Sequence, residues 1–217
     1  MLQDSQLQKA VIAELGWEPS VTAAHIGVAA REGVVTLSGH VESYAEKHAA
    51  EMAAHRVKGV KAVAEEIEVK LPFDIERGDE DIAAAAIERL AWDSSVPRDA
   101  VKVRVEKGWV TLSGDVDWHY QKEAAAHGVG TLHGVIGVSN QILIKPAVNT
   151  KDVAADITLA LHRSWYYDPN TIKVSAQGGK IKLTGNVTTW NARDLAGTTA
   201  WSSPGATSVE NDIHVDF

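Results

Sequence analysis

The chain has 217 residues, 45% of them hydrophobic and 23% charged, with no cysteine and a formal charge of −8. The absence of cysteine excludes a disulfide framework and any thiolate ligand or nucleophile, and the acidic balance argues against non-specific nucleic-acid binding, which needs a basic face. No stretch is long and apolar enough to cross a bilayer, and the opening MLQDSQLQKAVIAELGW lacks the positive n-region and unbroken apolar core of a secretory leader. The expected location is therefore cytoplasmic, or periplasmic if a leader has been removed.

In chain order the first element is an amphipathic helix with Leu7, Val11 and Leu15 spaced four apart. Asp4 stands three residues before it, where a carboxylate can cap the first turn. Trp17 and Pro19 follow in a loop, and Trp17 is expected to plug the core between helix and sheet. Ile26, Val28 and Ala30 then alternate as a strand, and a turn at Gly33 leads into VVTLSGHV at 34–41. In that second strand Val35, Leu37 and Val41 share one face, and Gly39 interrupts it. Glycine inside a strand marks a bulge or the close approach of another backbone. A second helix is expected over 43–58 with the stripe Ala49-Ala53-Val57, stopped by Gly59. Ile67 and Val69 close the unit with a third alternation.

The same order then recurs twice. WVTLSGDV at 109–116 and KIKLTGNV at 180–187 match the second strand, with Gly114 and Gly185 in place of Gly39. Turn glycines Gly108 and Gly179 precede them by six residues, and Gly134 and Gly205 follow by twenty. The first helix repeats as Ile82-Ala86-Leu90 and Val153-Ile157-Leu161, with Asp79 and Thr150 at the capping register. Trp92 and Trp165 repeat the loop tryptophan, the last displaced by two positions. Second helices are expected near 118–133 and 190–203. In the third copy their stripe reads Leu195-Thr199-Ser203 and runs into Pro204, a weaker face than Ala124-Gly128-Leu132, so this unit is expected to be the least stable. Repetition at a fixed period decides the organisation: modules at 1–71, 77–146 and 148–217, joined by short proline-containing linkers. The formal charges of residues 1–75, 76–147 and 148–217 are −4, −3 and −1.

Helix, strand, strand, helix, strand makes each module α+β. A glycine hairpin joins the first two strands antiparallel, and a right-handed strand–helix–strand crossover makes the last pair parallel. Each module is thus expected to be a three-stranded mixed sheet with both helices on one face, and the chain three such α-β-β-α-β modules in tandem.

The glycine turn, the V-x-L-x-G-x-V strand, the twenty-residue interval to Gly-Val and the closing alternation together resemble the BON domain family. The first two modules add L-x-W-[DE] after the first helix, and KGVKAV or HGVIGV after the second. The third has Pro204-Gly205-Ala206 at that place. The resemblance implies a non-enzymatic module of envelope or stress-induced bacterial proteins, associated with phospholipid membranes, with one relative linked to potassium binding.

The residues offer no catalytic constellation: no nucleophile elbow, no phosphate loop, no dinucleotide fingerprint. His48 and His55 flank Glu51 in HAAEMAAH, but seven residues put them about 10 Å apart along a helix, too far to share a metal. No cofactor or metal site is expected. The surface candidates are aromatic. Trp109 falls on the outward phase of its strand, Trp118 and Tyr120 open the following helix, and Trp190 opens the corresponding helix of the third module. Lys107 and Lys122 could set cations beside them. Such side chains suit an anionic phospholipid surface or a protein contact, between modules or in self-association.

Overall fold

A computed structural model describes residues 4–73, 75–146, 152–163 and 171–216. The first module runs α1 (Asp4–Trp17), β1 (Ile26–Arg31), β2 (Val34–Val41), α2 (Tyr44–Arg56) and β3 (Ala62–Val69). The second runs α3 (Asp79–Trp92), β4 (Val101–Glu106), β5 (Trp109–Val116), α4 (His119–Gly130) and β6 (Gly137–Ile144). The third runs α5 (Val153–His162), β7 (Ile172–Gln177), β8 (Lys180–Val187), α6 (Trp190–Trp201) and β9 (Ser208–Val215). Each sheet has the second strand at its centre. In the first and third modules the hairpin pair is antiparallel and the crossover pair parallel. The fold is the expected triple α+β repeat.

The core of the first module joins Leu7, Val11 and Leu15 of α1 with Ala50, Ala53 and Ala54 of α2 over Val35, Leu37, Val41 and Ile67. The hairpin turns carry two successive residues at positive φ: Glu32 and Gly33, Lys107 and Gly108, Gly178 and Gly179. That is the two-residue turn whose twist matches the strands. Gly39, Gly114 and Gly185 have φ of 122°, 131° and 136°. A Cβ there would collide with the carbonyl oxygen of His25, Ala100 or Thr171. The close backbone approach expected from sequence is present in all three modules.

Three expectations change. Asp4 and Asp79 are the first residues of their helices, and their carboxylates reach the hairpin turn instead of capping. Asp4 accepts from the Glu32 N–H at 2.9 Å, and Asp79 from Lys107 and Gly108, both at 2.8 Å. Thr150 lies outside the described residues. The second helices also end earlier than expected, so Gly59, Gly134 and Gly205 sit in the turns beyond them, at φ of 99°, 90° and 73°.

The third correction concerns the buried face of α6. It is Ala192, Ala196 and Ala200, each no more than 3% exposed, while Leu195 and Thr199 are only half-buried. The helix is turned by one residue from the expected phase, and its stripe is fully apolar. Thr199 therefore does not weaken the buried stripe, whereas Ser203 is buried beyond the end of the helix.

By Cα proximity the chain forms two compact units, one of residues 1–89, 103–111 and 127–139, the other of residues 90–102, 112–126 and 140–217. The contacts below are described within one unit or the other. No described helix is long and apolar enough to cross a membrane.

Candidate contact surfaces

Trp17 and Trp92 overturn the expectation of a core plug. They end α1 and α3 and are 84% and 82% exposed. The helix ends point them outward, while Leu15 and Leu90, two residues earlier, supply the buried contact. Trp165 lies outside the described residues. Phe73, in the first linker, is 91% exposed and was not singled out by sequence reasoning.

The sequence candidates separate by environment. In the first unit, Trp109 is half exposed and its ring lies on Gly137 of β6, an aromatic side chain covering a cross-strand glycine. Lys107 is exposed, and its backbone N–H is the one held by Asp79. In the second unit, Tyr120 is exposed, whereas Trp118 and Lys122 are half-buried. The Trp118 and Asp117 backbone N–H groups both donate to Gln121 Oε1 at 3.0 Å, which fixes the start of α4. Lys122 holds the register of Lys47 and Arg193. The Lys47 ammonium donates to the Ile67 carbonyl at 2.8 Å and pairs with Glu65 at 2.7 Å. Arg193 donates to Ile213 at 3.0 Å and Asn211 at 2.6 Å. In the first and third modules this register ties helix to third strand. Trp190 is half-buried against the third core, with the Arg193 guanidinium 5.4 Å from its ring centroid.

Two ring contacts between modules were missed. Tyr44, the first residue of α2, lays its ring over Gly130, the last residue of α4: a Cβ on Gly130 would stand 3.1 Å from that ring. Burial, and secondarily Glu51, push its phenol pKa up, against a hydrogen bond to the Val138 backbone. His119, the first residue of α4, stacks on Trp201, the last of α6, with centroids 3.9 Å apart and planes 20° apart. Burial holds the His119 pKa below its ordinary value, with Lys122 acting in the same direction and Glu123 opposing. The signal available in sequence was the shared register of Tyr44, His119 and Trp190, all planar rings.

Among the described residues no group of three or more His, Cys, Asp or Glu side chains is placed to hold a metal. His48 meets Glu51 at 3.7 Å. A shallow groove of the second module mixes Arg98, Lys102 and Lys145 with Asp99, Asp115 and Asp117, with no preference for either charge.

Small mixed sheets, each with an obligate strand glycine and two helices on one face, define a tandem array of α+β modules. The BON domain matches residues 3–70, 78–146 and 149–216, and the chain belongs to that family. It is similar to Osmotically-inducible protein Y of Escherichia coli (strain K12), 32% identical over 148 residues, covering 66% of this chain and 74% of the relative. Two solved structures of CdsD, a structural protein of the type III secretion system of Chlamydia trachomatis, align at 16% and 15% identity with a TM-score of 0.26. They cover 96% and 100% of this chain, and 91% and 100% of their own.

Proposed function

We propose that the chain is a non-catalytic BON array that docks peripherally on anionic phospholipid surfaces in osmotic or envelope stress. The stress assignment draws on the likeness to the osmotically-inducible relative. The lipid assignment rests on one observation: Trp17 and Trp92 occupy the same register of successive modules, and both are more than four-fifths exposed. Large apolar side chains held in water mark contact sites, and the indole, apolar with one polar edge, suits the headgroup layer. Exposed Arg89 precedes Trp92 by three residues, as Lys107 precedes Trp109 by two. Each cation near an anionic surface contributes about 1 kcal/mol. Against a net charge of −8, binding is weak, reversible and salt-sensitive.

Co-sedimentation with phosphatidylglycerol vesicles, at low and at physiological salt, tests this. Wild type pellets at low salt and is released at higher salt. Trp17→Ala with Trp92→Ala abolishes most pelleting and leaves the melting temperature unchanged, because neither ring is packed. Trp109→Ala with Trp118→Ala reports the contribution of the second module, with a melt to register lost packing. If wild type stays in the supernatant, or both double variants pellet like it, the lipid reading is wrong. The ring contacts at Tyr44 and His119 favour a second reading, a soluble scaffold or ion-responsive protein working through domain or subunit contacts.

A further inference from the structure

The open face of the first sheet carries two histidines side by side. Val35, Leu37 and Val41 of β2 are buried in the core, so Thr36, Ser38 and His40 between them face away from both helices. In the antiparallel pair β1–β2, Ile26 stands opposite Gly39, and one residue further out His25 comes opposite His40. Gly39 lets them meet, because the His25 carbonyl lies where a Cβ on that glycine would stand. The two imidazoles are stacked, with centroids 4.8 Å apart and planes 13° apart. On the other side of His40, β3 places Glu68 at the partnered position. Its neighbours Ile67 and Val69 pack inward, which turns Glu68 to the same open face. His25, His40 and Glu68 thus form one row across three strands. Counting from the strand glycines, the second module has Ala100 and Asp115 in place of the pair, and the third has Thr171 and Asn186. The sheet forms without the histidines in both, so folding does not require them.

We infer that this row binds a divalent ion of the zinc, nickel or copper class, with His25 and His40 as its nitrogen ligands. Imidazole suits these ions, whereas magnesium and calcium take oxygen. A metal–nitrogen distance of about 2.0–2.1 Å puts two adjacent ligand nitrogens about 3 Å apart. The stacked rings reach that spacing by tilting about their broad χ2 torsions, with no change of backbone. His25 is exposed and His40 half-buried, so both edges are open to an ion from solvent. Glu68 supplies a third ligand. In the metal-free chain it meets the Lys70 ammonium at 3.6 Å, with side chains 74% and 61% exposed. An exposed pair of that kind contributes little, so the carboxylate is released at low cost. Among the described residues no three such groups already converge; the ion draws the row together, and water fills its remaining positions. Residues 1–75 sum to −4, which favours a cation, and Lys70 is the charge beside the row that opposes it. His48 and Glu51 are the competing pair, on α2. The site is independent of the lipid reading, which uses Trp17 and Trp92.

Two measurements on the untagged full chain read the outcome. Substoichiometric copper(II) broadens the NMR signals of the His25 and His40 ring protons together, before those of the other histidines. Zinc binds in calorimetry and raises the melting temperature, as an ion held by the folded state must. The variant His25→Thr with His40→Asn copies the pair that the third module carries, so it keeps the metal-free melt. Its zinc affinity falls about tenfold or more, since removing even a group behind a ligand costs that much. Glu68→Gln weakens binding by a smaller factor, because water takes the carboxylate's place, and His48→Gln leaves it unchanged. If the double variant lowers the melt, His25→Thr, at the exposed member of the pair, carries the same comparison. Absence of zinc binding overturns the inference. So does an affinity that the double variant leaves intact, or copper broadening that begins at His48 or spreads evenly over the histidines.

Discussion

At the residue scale, the positions with most to lose are those where one atom decides. Gly39, Gly114 and Gly185 were legible in the sequence because a glycine that breaks an alternating apolar strand forfeits packing, and backbone crowding compensates for that loss. The carbonyl facing each leaves no room for a methyl group. Ser203 was legible only as polar. It is 8% exposed, and its hydroxyl has no hydrogen-bond partner among the described residues. The same register holds Val57 and Leu132. A buried, unsatisfied hydroxyl costs about 1–3 kcal/mol, and alanine removes it while leaving only a very small void. Ser203→Ala should therefore raise stability by about 1 kcal/mol, measured by urea unfolding. A loss of stability would mean that the hydroxyl holds a water or backbone group in place.

At the element scale, the first-helix stripes and the hairpins were legible because large apolar residues at fixed spacing leave one solution. The second helices were not. Apart from Val129 in α4, their buried faces are built from alanine and glycine, which carry little contrast with the polar faces. In α6, Leu195-Thr199-Ser203 and Ala192-Ala196-Ala200 are adjacent rows of one helix, and burial chose the smaller side chains. Close helix–sheet packing favours them, since α6 approaches until a Cβ on Gly197 would stand 3.1 Å from Asn211 Nδ2. The aspartate clamp was likewise misread from sequence, because the turn it binds is 28 residues away. Each Asp79 oxygen takes one turn N–H, and these two bonds, Gly108 first and then Lys107, hold its carboxyl below the usual range. Asp79→Ala should speed amide exchange at Lys107 and Gly108 about tenfold or more over neighbouring strand amides. Because the folded pKa is depressed, the clamp is complete above the ordinary carboxylate range and is lost as pH falls through the lowered value. Exchange in wild type should accelerate over that acidic interval, and unchanged exchange in the variant would assign the turn's rigidity to its glycine alone.

At the scale of the whole molecule, repetition organises the folding units, and ring contacts at helix ends join successive modules. The two steps are not equally robust. Tyr44 lies on bare backbone and stays neutral across the ordinary pH range. His119 lies on Trp201 and can acquire a charge. Burial of the imidazole lowers its pKa below 6.5, so on acidification the exposed or unfolded histidine binds its proton before the stacked one does. Between the ordinary and the lowered value the unfolded side holds more protons, and stability there rises with pH. The stack is thus at full strength above about pH 6.5 and weakens as pH falls through the lowered value, beyond which no further loss accrues. Glu123, 3.6 Å from the ring, limits the effect without reversing it. NMR titration of the His119 ring protons should give a midpoint below the ordinary histidine value. Melts recorded from neutral to mildly acidic pH should show a loss that His119→Gln removes, the amide keeping a planar polar group on the indole but no proton to gain. A normal His119 midpoint, or the same pH slope in the glutamine variant, would show that another group governs acid sensitivity, and that the contact between the second and third modules is indifferent to pH.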